Sequence, residues 1–402
     1  MKRFKDPAMI FIAICALESL AANYAHPITP TLIQNLQLPD YMFGITFAAM
    51  AFPNFLFSPF WGKMTSVIGD RMVLLLGCVG YACGQAIFGM ATTSAQIVIG
   101  RLISGAFTSG ISVATLTYLV AISAPDEKAH NLTLSATMVA VFAAFGYLVG
   151  GVAGDYSLQL TFLLQVVTLV ICGLLYYYTM KDVGEKTSIP FKRIVKEANP
   201  FSAIFDLRQI MTVSLVLILA ITALTSIAAT AYDQNFNYFI KDQFGFKPSY
   251  NGLLKAVNGM LSLISNLTIC MWLIRKANAQ LYFMGILLGC GLLLGGLVLA
   301  DQLWPFMLIS ILYFALYTIS TPILQTIVSA ENRQNIGALM GSYNAVKSFG
   351  MIVGSLMAGF LYQAGPKLSF GYAAVLFLAA GALTIGFIRA KKEKEKEHVI
   401  MQ

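Results

Sequence analysis

The stretch Leu158-Gln159-Leu160-Thr161-Phe162-Leu163-Leu164-Gln165-Val166-Val167-Thr168-Leu169-Val170-Ile171-Cys172-Gly173-Leu174-Leu175-Tyr176-Tyr177-Tyr178-Thr179 runs for 22 residues without a charged side chain. A helix needs about 20 mostly apolar residues to cross a bilayer, so this run reads as a membrane span. It has many companions. The 402-residue chain is 58% apolar and only 11% charged, with a mean hydropathy of +0.74. A water-soluble domain carries about 25% charged residues, so neither a soluble enzyme nor a disordered chain fits. The apolar stretches are long and continuous, which excludes the alternating pattern of an outer-membrane barrel.

Apolar runs broken by charge, Gly/Pro or polar clusters predict twelve spans. Their limits are 8–33, 42–61, 72–91, 95–121, 133–154, 158–179, 209–240, 250–273, 280–300, 303–328, 336–363 and 367–389. The fold class expected is an all-α polytopic membrane protein with two pseudo-symmetric six-helix bundles. One bundle covers 1–180 and the other 209–390, with a cytoplasmic linker at 181–208 and a charged tail at 391–402. The linker interleaves Lys181, Lys186, Lys192, Arg193, Lys196 and Arg208 with Phe191, Ile194, Val195 and Phe201, the pattern of a segment lying on a membrane surface.

Basic residues set the orientation. With the N-terminus in the cytoplasm, 20 of the 26 Lys and Arg fall on the inner side. Only Lys241, Lys247 and Lys367 fall outside, and Arg101, Lys255 and Lys347 lie within spans. That asymmetry predicts both termini in the cytoplasm, and the expected location is the cell (plasma) membrane. The same distribution assigns the net charge of +8 to membrane topology, so no nucleic-acid partner is expected. Cys15, Cys78, Cys83, Cys172, Cys270 and Cys290 all lie in apolar segments without metal-ligand spacing, and neither a metal nor another cofactor is expected.

The two halves repeat weakly. Gly146-Tyr147-Leu148-Val149-Gly150-Gly151 in span five matches Gly354-Ser355-Leu356-Met357-Ala358-Gly359 in span eleven, and 354 minus 146 is an offset of 208. Parallel six-span halves are one architecture of secondary transporters.

Here the chain resembles the major facilitator superfamily, and within it the twelve-span drug:proton antiporters of bacteria, over roughly 8–389. Gly62-Lys63-Met64-Thr65-Ser66-Val67-Ile68-Gly69-Asp70-Arg71 is similar to the family's gating loop after span two. Gly62, Gly69 and Arg71 match; Ser66 and Val67 replace the family's Asp and Arg, and Asp70 is placed to carry the acidic role from a shifted position. Gly100-Arg101-Leu102-Ile103-Ser104-Gly105 resembles the span-four motif, whose Arg is thought to assist proton movement. In span five, Phe142 and Tyr147 replace the first Gly and the Pro of the antiporter motif. His26-Pro27-Ile28-Thr29-Pro30 resembles the proline-bearing end of span one in the exporter branch. The resemblance implies a monomeric carrier of small-molecule substrates and protons in the lipid bilayer.

Among 18 acidic residues, only Glu18 falls near the middle of a span. A charge in hydrocarbon costs roughly 2.5 kcal/mol or more, so it is kept where a cavity, a partner or a function compensates. Glu18 is therefore expected to face the cleft between the halves, exchanging a proton or contacting a cationic substrate; a static hydrogen bond is the plainer alternative. His26 shares its helical face two turns on, and could relay protons or merely cap the interface, while Asn23 is displaced around the helix. Arg101 is expected to pair with a carboxylate or a backbone carbonyl. Lys347, about 16 Å into span eleven, lies too deep to snorkel easily and is expected to attract an anionic substrate or pair with Glu18. Asn23, Asp233 and the aromatic residues Tyr147, Tyr232, Phe236 and Tyr317 complete the candidate substrate-binding set, although aromatics at helical spacing mostly pack.

The favoured function is proton-coupled export of small amphipathic compounds by alternating access. The alternative is an anionic metabolite or lipid-linked cargo on the same fold. Three histidines (His26, His130, His398) are too few for a membrane enzyme, and there is no filter loop for a channel and no Walker-type loop for ATP coupling.

Overall fold

The computed structural model describes residues 6–181, 183, 194, 198–199, 212–274, 279–331 and 336–400. Most of the basic linker, with Lys186, Lys192, Arg193, Lys196 and Arg208, lies outside the described residues. So do Lys2, Arg3, Lys5, Arg275, Lys276 and Arg333. Among the described residues all regular structure is helical, and 11 helices are long and apolar enough to cross a membrane. A shorter apolar helix, Pro7–Ala22, precedes them and makes the twelfth predicted span.

That first span is broken where one continuous segment, 8–33, was expected. Asp6 caps its start by accepting from Ala8 N–H at 3.0 Å, with Pro7 in the first turn. The helix stops at Ala22, turns through residues 23–28 and resumes as Thr29–Asn35. The cause is local: Pro27 lacks an N–H and disfavours helical backbone in the residue before it, and Pro30 sits in the first turn of the resumed helix, where its missing N–H costs nothing. The freed Ala22 carbonyl accepts from the Tyr81 hydroxyl at 3.0 Å and from Gln165 Nε2 at 3.2 Å. The second span, Met42–Ile68, carries Pro53 and Pro59 within one helix. Spans three to six are Asp70–Gly89, Ser94–Ile122, Lys128–Tyr156 and Leu158–Thr179.

The seventh span is Val213–Asp242. The eighth, Pro248–Ser265, runs into a single π-helical turn, Asn266–Cys270, and ends with Met271–Ile274. Ala279–Leu299, Leu303–Glu331, Ile336–Ala364 and Leu368–Ile400 complete the series, the last extending past its expected end at 389 into the Lys/Glu tail.

The chain divides into two compact units. The first takes Met1–Pro200 with Ile240–Gly259, and the second takes Phe201–Phe239 with Met260–Gln402. In the first, Phe11 packs between the rings of Tyr118 and Tyr176, with centroids 4.8 and 5.6 Å away. In the second, Tyr232, Phe236, Phe239, Phe306 and Phe370 form a continuous buried aromatic cluster. Outward surfaces are apolar too: Leu163, Val167, Ile171 and Leu174 recur on one face of span six and are all exposed. Such a stripe suits acyl chains and not water.

Small residues set the helix contacts. An added Cβ at Gly146 would strike the Leu20 carbonyl, and one at Gly150 would strike that of Tyr24, so span five lies directly on span one. In the second unit the same holds for Gly354 against the Ile227 carbonyl and for Gly350 against Ser226, bringing span eleven onto span seven. The predicted repeat offset is thus a repeat of packing.

Candidate functional site

In the first unit Glu18 is half-buried and makes no hydrogen bond or ion pair among the described residues. It lies within electrostatic reach of Cys15, Cys78, Tyr81 and Tyr176. The static hydrogen bond weighed from the sequence is therefore not present among these residues. Its neighbour Ser19 does make one, donating to the Val139 carbonyl at 2.8 Å.

Asn23 spends its amide on the end of the first helix, where Nδ2 donates to the Ser19 carbonyl at 2.7 Å. His26 stacks on Tyr147 at 5.4 Å between centroids, and Lys255 Nζ lies 6.0 Å from the centre of the same ring. Tyr147, which replaces the antiporter proline, thus contacts a histidine and a cation.

Arg101 is only 3% exposed. The expected carboxylate or carbonyl is not what holds it. Its guanidinium sits over the Phe88 ring, 4.2 Å from the centroid, and Nη1 approaches Met50 Sδ at 3.3 Å, while Nε has no partner among the described residues. The reason is compositional: Glu18 is the only acidic residue near the middle of a span, which leaves a ring face and a thioether as polarisable substitutes. Arg101 also lies within electrostatic reach of Tyr81 and Tyr147, so Tyr81 is close to both Arg101 and Glu18.

The loop after span two depends on Gly69, whose φ of 88° is left-handed backbone that glycine adopts without strain. Asp70 then opens span three, where the helix dipole favours an acid, and Thr117 Oγ1 of span four donates to it at 2.5 Å. Arg71 lies 4.0 Å over the Tyr177 ring of span six. Gly62 faces nothing nearer than Val113 at 3.8 Å from an added Cβ, so no close approach explains it. The gating-loop residues therefore tie spans three, four and six together.

In the second unit Lys347 is half-buried and lines a pocket with Thr222, Thr225, Ser226, Tyr317 and Ser320. Its ammonium makes no hydrogen bond or ion pair among the described residues. Tyr317 reaches this pocket with its ring stacked on Tyr313 at 5.9 Å. Tyr232 and Phe236 do not: each is 3% exposed, inside the aromatic cluster. Helical spacing of aromatics reflects packing at these two positions. Asp233 follows them on span seven, half-buried and within electrostatic reach of Tyr232, Tyr313 and Tyr317. Sequence reasoning missed the hydroxyl row Thr222, Thr225 and Ser226, although its spacing of three and four on an apolar helix marks one face.

Two packing-related helical repeats and ionisable side chains held inside apolar spans define a multi-pass membrane transporter. Residues 11–355 match the Major Facilitator Superfamily, and the chain belongs to that family. It is similar to quinolone resistance protein NorA of Staphylococcus aureus (strain COL), 20% identical over 370 residues and covering 92% of both chains. Multidrug resistance protein MdtG of Proteus mirabilis (strain HI4320) is 24% identical over 386 residues, with 93% of this chain and 92% of that protein covered. Among solved structures, a bacterial homolog of the human lysosomal transporter Spinster aligns with a TM-score of 0.75 at 11% identity, over 95% of this chain and 96% of that one. The protein is a transporter and not an enzyme.

Proposed function

We propose that the protein is a proton-coupled exporter of small amphipathic compounds, working by alternating access of two bundles at 1–180 and 209–390 joined through 181–208. The observation that carries this reading is Glu18, a carboxyl in an apolar span with no hydrogen-bond or ion-pair partner among the described residues. A neutral carboxyl is far cheaper to seal from water than a carboxylate, so loading and unloading one proton biases a site between closed and open forms. Arg101 and His26 assist proton movement, and Tyr147 contributes to the cargo surface. The protein acts as a monomer in the cell membrane with both termini in the cytoplasm, which the 20-to-3 distribution of basic residues supports. Two relatives named for drug resistance support export of this cargo class.

Transport in proteoliposomes under an imposed pH gradient tests the reading. Glu18→Gln is expected to abolish gradient-driven efflux of cationic dyes while leaving the purified yield unchanged. Undiminished efflux of several dyes in that variant removes Glu18 from the mechanism. A second reading, an anionic cargo, is favoured by the ammonium of Lys347, which has no ion-pair partner among the described residues.

A further inference from the structure

Arg101 stands in a buried polar layer of the first unit, and the hydrogen bonds of that layer leave a specific remainder. Gln85 and Gln165 are fully buried, and Arg101 nearly so. Gln85 Nε2 donates to Ser104 Oγ at 3.4 Å, and Ser104 gives its own proton to the Gly100 carbonyl at 2.8 Å. Gln165 Nε2 donates to the Ala22 carbonyl at 3.2 Å, where the Tyr81 hydroxyl also donates. Both amides are fixed in orientation, since a committed hydroxyl and a carbonyl can only accept. Their oxygens, Gln85 Oε1 and Gln165 Oε1, are left without a donor among the described residues, and Arg101 Nε without an acceptor.

These atoms come from helices in direct contact. An added Cβ at Gly84 would strike the Gly100 carbonyl, and Gln85 and Arg101 are the next residues along the two chains. Gly89 touches Phe162 and Gly173 touches Cys78, so Gln165 falls between those contacts, level with Gln85. Tyr81, which shares the Ala22 carbonyl with Gln165, is within electrostatic reach of Arg101. On span two, Thr46 lies one turn before Met50, the thioether on Arg101, and its buried hydroxyl also has no partner among the described residues. Buried polar atoms left in this way are costly. An anion would suit Arg101 and repel the two amide oxygens, and a second cation would do the reverse. Water satisfies both, because it donates two protons and still accepts. We propose that ordered water is bound inside the first unit, donating to Gln85 Oε1 and Gln165 Oε1 and accepting from Arg101 Nε–H. The Thr46 hydroxyl, able to give or take a bond, completes its surroundings. Through this water Gln85 and Gln165 hold a guanidinium that has no carboxylate, which makes them positioning residues for Arg101. That role rests on the reading above, in which Arg101 assists proton movement.

Radiolytic labelling of the full-length protein in lipid nanodiscs tests the site. X-ray pulses make hydroxyl radicals from bound water, whereas radicals from bulk solvent do not reach Phe88, which is fully buried under the guanidinium. Mass spectrometry is expected to find oxygen added to Phe88 and not to Phe11 or Phe387, two phenylalanines buried equally well. Gln85→Leu and Gln165→Leu are each expected to lose the Phe88 label. A wild-type Phe88 no more labelled than Phe11 and Phe387 overturns the site, as does a label that survives in both variants. If neither variant folds, the wild-type comparison decides alone. In proteoliposomes, each variant is expected to lower gradient-driven efflux about fivefold, and to cause no further loss in an Arg101→Met background. Equal losses in both backgrounds overturn the positioning role, since a merely structural effect would add. The label is read without transport. A labelled Phe88 in a protein whose efflux ignores the pH gradient would therefore refute the coupling scheme and leave the water site standing.

Discussion

Ser226 Oγ donates to the Lys347 carbonyl at 2.6 Å, joining spans seven and eleven of the second unit. Ser19 and Val139 make the same bond at 2.8 Å between spans one and five of the first. The positions correspond through the repeat: 226 minus 19 is 207, and 347 minus 139 is 208. With the frame shared, the differences stand out. Glu18 precedes Ser19, whereas Thr225 precedes Ser226; Lys347 stands where the first unit has Val139. One repeat carries an acid on its first helix, and the other a base on its fifth.

The glycine contact predicts a sharp contrast in stability. At Gly146 an added methyl meets the Leu20 carbonyl, which is backbone and cannot swing away. Gly146→Ala is expected to cost about 2 kcal/mol or more, or to abolish folding. Gly295, with nothing within 4 Å, should accept Ala with no loss and a gain of up to about 1 kcal/mol. Thermal unfolding of the two proteins in detergent checks this, and similar midpoints would contradict the packing.

Arg101 should separate stability from transport. Its charge is buried without a carboxylate among the described residues, so Arg101→Met is expected to change stability by between zero and about +2 kcal/mol. Transport under a pH gradient should fall at least about tenfold, since at about 1.4 kcal/mol per decade this is the scale of one charged contact. A large drop in melting temperature with transport intact would make Arg101 a packing residue.

Lys367 holds the end of span nine. Its Nζ donates to the Val298 and Ala300 carbonyls at 3.2 and 2.8 Å and to Asp301 Oδ1 at 2.6 Å. Lys367→Met is expected to cost about 1–2 kcal/mol, because helix-end carbonyls lose a charged donor. Asp301→Asn should cost less than about 0.5 kcal/mol, as its side chain is 89% exposed and the pair is screened. Equal losses in the two variants would locate the energy in the ion pair instead.

Asp70 and Thr117 should be coupled. A double-mutant cycle of Asp70→Asn and Thr117→Val is expected to give about 0.5–1 kcal/mol of interaction in unfolding experiments. Strict additivity would leave the 2.5 Å bond without energetic weight.

The spans were legible because apolar length is a strong signal, and the repeat was legible because Gly146 and Gly354 must be small for helix backbones to touch. The break after Ala22 was signalled by Pro27 and Pro30, yet hydropathy averaged over a span's length passes over it because Asn23 and His26 stand among apolar neighbours. The π-helical turn at Asn266–Cys270 leaves no mark that periodicity detects. At the candidate sites, rarity of charge picked out Glu18, Arg101 and Lys347. It could not say what surrounds them, since Phe88 and Met50 look like any apolar residue, and the pocket hydroxyls are scattered over Thr222, Thr225, Ser226 and Ser320. Tyr232 and Phe236 show that helical spacing of aromatics does not tell a pocket wall from packing, since both are buried in the aromatic cluster of the second unit.

The opposed charges of the two repeats bear on electrical work. If Glu18 carries a proton inward while Lys347 hands an anion outward, both movements displace charge in the same sense. A potential of about 100 mV supplies about 2.3 kcal/mol for each elementary charge that crosses. Such a cycle would draw on voltage twice per turnover, and would keep running in cells whose pH difference had collapsed but whose membranes were still polarised.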